Sequence, residues 1–120
     1  MTDRRALKRQ YLETKTRAGV YAIRNRVNGR ILVAGSNNAQ AAINRHRFQL
    51  KYGSHRNREL TRDWQQHGES AFMFEIVDLV DFRDEPGFDV GEELKALVTL
   101  WREELNVEPT EDYEQMQGRT

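Results

Sequence analysis

An Asn-Gly pair between two short apolar segments is the feature that most constrains the fold of this chain. Asn28-Gly29 lies in a polar stretch, residues 26–30, which separates residues 18–25 from the apolar residues 31–34. Asn-Gly is typical of tight β-hairpin turns because both residues tolerate positive φ angles. The sequence therefore predicts that the core begins with a β-hairpin.

The first strand of this hairpin has two different faces. Val20 and Ala22 alternate with Tyr21 and Ile23, and alternate side chains of a strand point to opposite sides of a sheet. We therefore expect Tyr21 and Val20 to lie in different layers of the fold.

Two helices are predicted to follow the hairpin. Residues 39–51 carry a mostly apolar stripe at helical spacing, which consists of Ala39, Ala42, Ile43, His46 and Leu50. The next helix brings Leu60 and Trp64 to the core, and either Ser54 or Asn57 supplies the side chain that caps its start.

A third strand and a last helix complete the predicted fold. Residues 71–80 have strand alternation, and an apolar stripe runs along a helix from about residue 91 to 105. The order β-β-α-α-β-α predicts an α+β fold with a small three-stranded, mainly antiparallel sheet between helices. A basic helix over residues 4–14 is expected to precede it.

The same patterns divide the 120 residues into one domain and two terminal segments. The predicted segments are a basic arm at 1–17, the domain at 18–106 and an acidic, flexible tail at 107–120. In the tail, Tyr113 is the side chain suited to docking on the domain.

Charge is divided along the chain although its formal total is zero. Residues 1–62 contain 15 Lys and Arg against three acidic residues, whereas residues 63–120 contain four against 16. This division predicts a basic face for a polyanion. In the alternatives, the two halves neutralise each other within the domain, or they meet between chains in a homo-oligomer.

Composition excludes several classes of site. The chain has no cysteine, so it forms no disulfide, zinc-thiolate site or cysteine nucleophile. No apolar run approaches the roughly 18 residues that a membrane span needs, and no apolar signal region follows the basic N-terminus. We expect a cytoplasmic protein with no membrane partner.

Taken in order, these segments resemble the GIY-YIG endonuclease family over residues 18–106. The resemblance is carried by Gly19-Val20-Tyr21, Asn28-Gly29-Arg30, His46, Gly53-Ser54-His55-Arg56-Asn57, Leu60, Trp64, Gly68 to Glu75, and Trp101. It implies that active relatives hydrolyse phosphodiesters with a divalent metal on a Glu of the last helix, a Tyr that helps activate water, and a helix Arg. By this resemblance Tyr21 and His46 are the candidate catalytic residues.

The chain departs from the family pattern at three positions. The places of the helix Arg, the metal-binding Glu and the second-motif Tyr hold Ala42, Val98 and either Leu32 or Val33. Losing one electrostatic group typically costs on the order of a hundredfold in rate. We therefore expect no metal ligand, no cofactor and impaired cleavage. An active endonuclease that uses Mg²⁺ or Mn²⁺ would need a rewired site built on Glu69, Glu75 or acids of residues 83–90.

The favoured hypothesis is an impaired GIY-YIG domain that binds nucleic acid, with DNA as the expected partner. The candidate phosphate contacts are Arg24, Arg26, Arg30, Arg45, Arg47, Lys51, His55, Arg56, Arg58 and Arg62. No base-reading motif is visible, so weak sequence preference is expected. The alternatives are the rewired endonuclease and a protein-interaction or self-assembly module.

Overall fold

One central strand organises the sheet. The computed structural model describes residues 17–107 and Tyr113. In it, β1 (Gly19–Asn25) pairs antiparallel with β2 (Ile31–Ser36) on one side and with β3 (Phe72–Leu79) on the other. The predicted three-stranded antiparallel sheet and its α+β class are confirmed.

Three helices begin at side chains that satisfy their first backbone N–H groups. Asn38 caps α1 (Ala39–Lys51), Asn57 caps α2 (Arg58–His67), and Asp89 caps α3 (Val90–Glu104). Such caps stabilise a helix because its first turn has no internal partners for these donors. A short 3₁₀ turn, Glu69–Ala71, leads from α2 into β3.

The alternation of β1 divides the core into two layers. Tyr21 and Ile23 pack with α1 and α2 on one face of the sheet. Val20 and Ala22 pack on the other face, against the apolar stripe of α3. All four residues are buried. The faces predicted from the alternation of these side chains are therefore the observed ones.

The hairpin closes differently from the two-residue turn that Asn-Gly favours. Gly29 has a φ of 79°, whereas Asn28 is not in the positive-φ region. The N–H of Asn25 donates to the carbonyl of Arg30 at 2.8 Å, so four residues lie in the loop. Asn28 acts through its side chain: its Oδ1 accepts from the N–H of Arg30 at 2.9 Å.

Parts of the predicted organisation lie outside the described residues, namely the helix over 4–14 and all of residues 108–120 except Tyr113. Tyr113 itself is fully buried against the α1 and α2 face of the sheet. None of the helices in 17–107 is long and apolar enough to cross a membrane.

A buried polar cluster around Asp63 holds Tyr113 to the domain. The Tyr113 hydroxyl donates to Asp63 Oδ2 at 2.5 Å, and Asn28 Nδ2 donates to the same oxygen at 3.1 Å. Arg30 forms an ion pair with this carboxylate at 3.7 Å. Burial opposes ionisation of Asp63, but the hydrogen bonds from Tyr113 and Asn28 and the charge of Arg30 outweigh it and lower its pKa.

Replacing Tyr113 by Phe should destabilise the domain, since Asp63 would lose its shortest hydrogen bond while remaining buried. We expect a loss of about 1–3 kcal/mol in the free energy of unfolding at pH 7, measured by urea denaturation. The exposed hydroxyl of Tyr52 provides the control, so Tyr52→Phe should leave stability unchanged.

The same pair of proteins tests the charge of Asp63. Because the pKa of Asp63 is lower in the folded protein than its ordinary value of 3.8, its stabilising contribution is complete above 3.8 and is lost as pH falls through the folded pKa. The stability difference between the wild type and Tyr113→Phe should therefore shrink in acid. A difference that is absent at pH 7, or that grows in acid, would contradict this assignment.

Candidate functional site

Three side chains from three separate elements form a continuous hydrogen-bonded series. The Tyr21 hydroxyl of β1 lies 2.8 Å from Nε2 of His46 on α1. Nδ1 of His46 lies 2.7 Å from Nε2 of His55 in the loop before α2. We call these residues the Tyr-His-His series. The structure thus brings together both candidate catalytic residues and adds His55 to them.

A backbone N–H group determines which atom donates in each hydrogen bond of this series. The N–H of Asn57 donates to Nδ1 of His55 at 3.1 Å, so a neutral His55 carries its proton on Nε2. His55 then donates to Nδ1 of His46, and Nε2–H of His46 donates to the Tyr21 oxygen. The hydroxyl hydrogen of Tyr21 is then not used within this series.

Burial keeps all three groups neutral near pH 7. It lowers the pKa of His46 to about 4, with further lowering by the nearby His55 and Arg45. Burial also lowers the pKa of His55. It raises the pKa of Tyr21 to about 12, although Arg45 acts in the opposite direction. Tyr21 in this setting is a hydrogen-bond donor rather than a phenolate base.

The metal-ligand position of the family resemblance is occupied by apolar packing. Val98 and Leu94 of α3 lie against Gly35 of β2, where an added Cβ would come within 2.7 Å of Val98 Cγ2. A cleft of about 270 Å³ beside them is also lined by Lys95 and Arg102, and no carboxylate lines it. Within 17–107 and Tyr113, no group of three His, Asp or Glu side chains could hold a metal. These residues do not fit a divalent cation.

The residues at the other two positions that depart from the family pattern are buried as well. Ala42 is 4% exposed and packs in the Tyr21 layer. Leu32 packs in the same layer, whereas Val33 faces α3. Glu75, one candidate for a rewired site, pairs in register with Ala22 and so lies on the α3 face, away from the Tyr21 layer.

Six of the ten candidate phosphate-binding residues lie together in one layer. They are exposed, they belong to α1, α2 and the loop between them, and we call them the basic group: Arg45, Arg47, Lys51, Arg56, Arg58 and Arg62. The Arg47 guanidinium also lies over the ring of Phe74, 4.5 Å from its centroid.

The other four candidates are placed differently. Arg24 is half-buried on the same strand face as Val20 and Ala22, and Arg26 donates to the carbonyl of Ser70 at 2.8 Å. Arg30 pairs with Glu59 at 3.3 Å and with Asp63. His55 is only 8% exposed, with protein partners at both ring nitrogens. Phosphate contacts by these four residues stay a prediction.

Sequence reasoning missed two features of this layer. Phe48 and Tyr52 form an exposed ring pair on α1, with centroids 4.6 Å apart. Their position off the apolar stripe of α1 was the available signal. The backbone of Asn57, which orients His55, left no sequence signal because a backbone N–H exists at nearly every position.

The fold is similar to that of known nuclease domains. It matches the catalytic domain of the homing endonuclease I-TevI with a TM-score of 0.63 and 24% identity, covering 81% of this chain and 96% of that domain. It matches a mutant of the same catalytic domain of intron endonuclease I-TevI with a TM-score of 0.64 and 22% identity, covering 82% and 93%. The chain therefore has a GIY-YIG-like fold. No protein-family model matches the sequence, and no curated protein is significantly similar to it.

Nitrogen-15 NMR of the histidine rings tests the direction of the series. At pH 7 we expect His46 and His55 to be neutral and protonated on Nε2, and variants His46→Gln and His55→Gln assign the two signals. Because folded His46 accepts a second proton only near pH 4, whereas the ordinary pKa is 6.5, stability should fall as pH drops through this interval. A proton on Nδ1 of His46 at pH 7 would refute the proposed direction.

Proposed function

We propose that this chain is a nucleic-acid-binding module, with DNA as its partner, on a GIY-YIG-like fold whose metal-dependent cleavage is impaired. The observation that carries the proposal is the set of six exposed cations in the basic group, which form no ion pair among residues 17–107 and Tyr113. The fold similarity to a nuclease catalytic domain supports the same class of partner.

Among the described residues, no acidic side chain forms an ion pair with the basic group. Between residues 39 and 67 the acidic residues are Glu59 and Asp63, and both pair with Arg30 of the hairpin. Within 17–107 and Tyr113, no member of the basic group forms an ion pair. The acids of α1, α2 and the loop between them are therefore ion-paired with Arg30 rather than with the basic group.

Several exposed cations on one side of the sheet of a small domain favour a polyanion as the partner. Lys and Arg that contact phosphates release condensed counterions, and this release supplies most of the free energy of non-specific binding. The basic group presents five Arg and one Lys, and Arg can contact a phosphate through two parallel hydrogen bonds. DNA backbone contacts of this kind carry no base specificity, which agrees with the expected weak sequence preference.

Cleavage is impaired because the chain lacks two groups that would stabilise the negative charge developing on the phosphate. The resemblance requires a carboxylate where Val98 packs on Gly35 and a guanidinium where Ala42 is buried. Neither side chain can bind a cation or donate a hydrogen bond. The Tyr-His-His series alone supplies one hydroxyl donor, which orients a phosphate without activating water.

Removing two cations of the basic group should weaken DNA binding and its dependence on salt. The variant is Arg58→Gln/Arg62→Gln, and its affinity for a labelled duplex is measured by fluorescence anisotropy at several salt concentrations. A plot of the logarithm of the binding constant against the logarithm of the salt concentration should have a slope lower in magnitude by about 0.9 for each phosphate that the variant no longer neutralises. The decrease in affinity should be similar for unrelated sequences.

The control for charge is Arg83→Gln, because Arg83 lies in the acidic loop near Glu85 and Glu93. It changes the net charge by one without touching the basic group, so its salt slope should equal that of the wild type. If the wild type binds neither duplex nor single-stranded DNA even at low salt, the proposed function is wrong.

A second candidate is an endonuclease with a rebuilt site, and the bond between Tyr21 and His46 favours it. We expect supercoiled plasmid and a branched duplex to stay uncut with Mg²⁺ or Mn²⁺, while the same samples show binding. Nicking that EDTA abolishes and that is lost in Tyr21→Phe, but retained in Tyr52→Phe, would establish the endonuclease instead.

A further inference from the structure

The C-terminal half of α1 presents an exposed pair of aromatic rings. Phe48 is 60% exposed and Tyr52 is 66% exposed. Their ring centroids lie 4.6 Å apart with planes inclined by 45°. Among residues 17–107 and Tyr113, five large apolar residues are exposed, and these two are the aromatic ones. Apolar residues scattered singly over a surface are normal, whereas two exposed aromatic rings in contact with each other indicate a binding surface.

The helix itself holds this pair away from the core. The buried residues of α1 are Ala39, Ala42, Ile43 and Leu50. The N–H of Tyr52 still bonds to the carbonyl of Phe48 at 3.0 Å, so the two residues are neighbours at helical spacing. Their rings contribute to neither of the two core layers.

Positive charge flanks the ring pair on both sides. Arg45 lies three residues before Phe48 and Lys51 lies three residues after it, which puts them on opposite sides of Phe48 around the helix. There is no acidic residue anywhere from residue 17 to residue 58. An occupant of this surface therefore combines negative charge with flat apolar faces, which is the chemistry of a nucleic-acid strand.

Intact duplex does not offer such faces, because each base is stacked between its neighbours. Unpaired bases do, and every base has a π-face that an aromatic side chain can stack on without reading sequence. Cations beside the rings then contact the phosphates of the same strand.

We propose that Phe48 and Tyr52 form a stacking site for unpaired bases, so that the ligand of this domain is single-stranded DNA, alone or at a branch. This inference rests on the proposed nucleic-acid-binding function. It adds a base-dependent contribution to the phosphate contacts of the basic group.

Three labelled ligands of equal length separate bases from phosphates. They are oligothymidylate, an abasic strand with the same phosphates, and a duplex, each measured by fluorescence anisotropy with the full chain. Because one stacked base raises affinity by about fivefold to 150-fold, the wild type should bind oligothymidylate more tightly than the abasic strand by at least about fivefold.

Variants assign this preference to the rings. Phe48→Ala/Tyr52→Ala should bind both single strands with the affinity of the abasic strand and should keep its affinity for duplex. Phe48→Trp/Tyr52→Trp should restore the preference, since it restores stacking. Leu100→Ala removes exposed apolar surface from α3 and should behave as wild type.

The outcomes distinguish the two proposals. Equal wild-type affinity for oligothymidylate and the abasic strand, with duplex binding intact, refutes the stacking site and leaves the proposed function standing. A preference that survives in Phe48→Ala/Tyr52→Ala also refutes the stacking site. Absence of binding to all three ligands refutes the proposed function. A dimer without DNA, dispersed by the double Ala variant in sedimentation, would identify the pair as a self-association surface instead.

Discussion

The register of β1 is the constraint on which the rest of the structure depends. This strand is hydrogen-bonded on both edges, and its side chains alternate between two packed layers. A slip by one residue would exchange the layers, so Tyr21 would face α3 and Val20 would face α1. The bond from Tyr21 to His46, and with it the whole Tyr-His-His series, exists only in the observed register.

The two layers differ in charge as well as in packing. The α1 and α2 layer carries the basic group, and Arg30 of the hairpin pairs with both acids of that layer. On the other side, an acidic loop precedes α3. Arg83 of this loop lies near Glu85 of the loop and Glu93 of α3. Within residues 17–107, the charge division of the sequence thus corresponds to two sides of the sheet, since the basic elements precede β3 and the acidic loop and α3 follow it. A zero net charge conceals this polarity.

The element order, the strand faces and the caps could be predicted because each is a local consequence of spacing or of a single side chain. The cap at Asn57, for example, depends on one local hydrogen bond, in which its Oδ1 accepts from the N–H of Leu60. The contact of His46 with His55 could not be predicted, because it depends on how a loop folds back over nine residues. Arg24 illustrates a further limit: its charge suggested a phosphate contact, but strand parity sets it on the face opposite the basic group.

On the proposed function, the departures from the family pattern have a structural benefit. Catalytic groups destabilise a fold because they hold polar or charged atoms in strained or partly dry places. Here Ala42 packs in the first layer and Val98 packs in the second, so both positions add apolar contacts to the core. A binding module needs only a stable frame and an exposed surface. Apolar residues at these positions extend the core without removing any member of the basic group or either exposed ring.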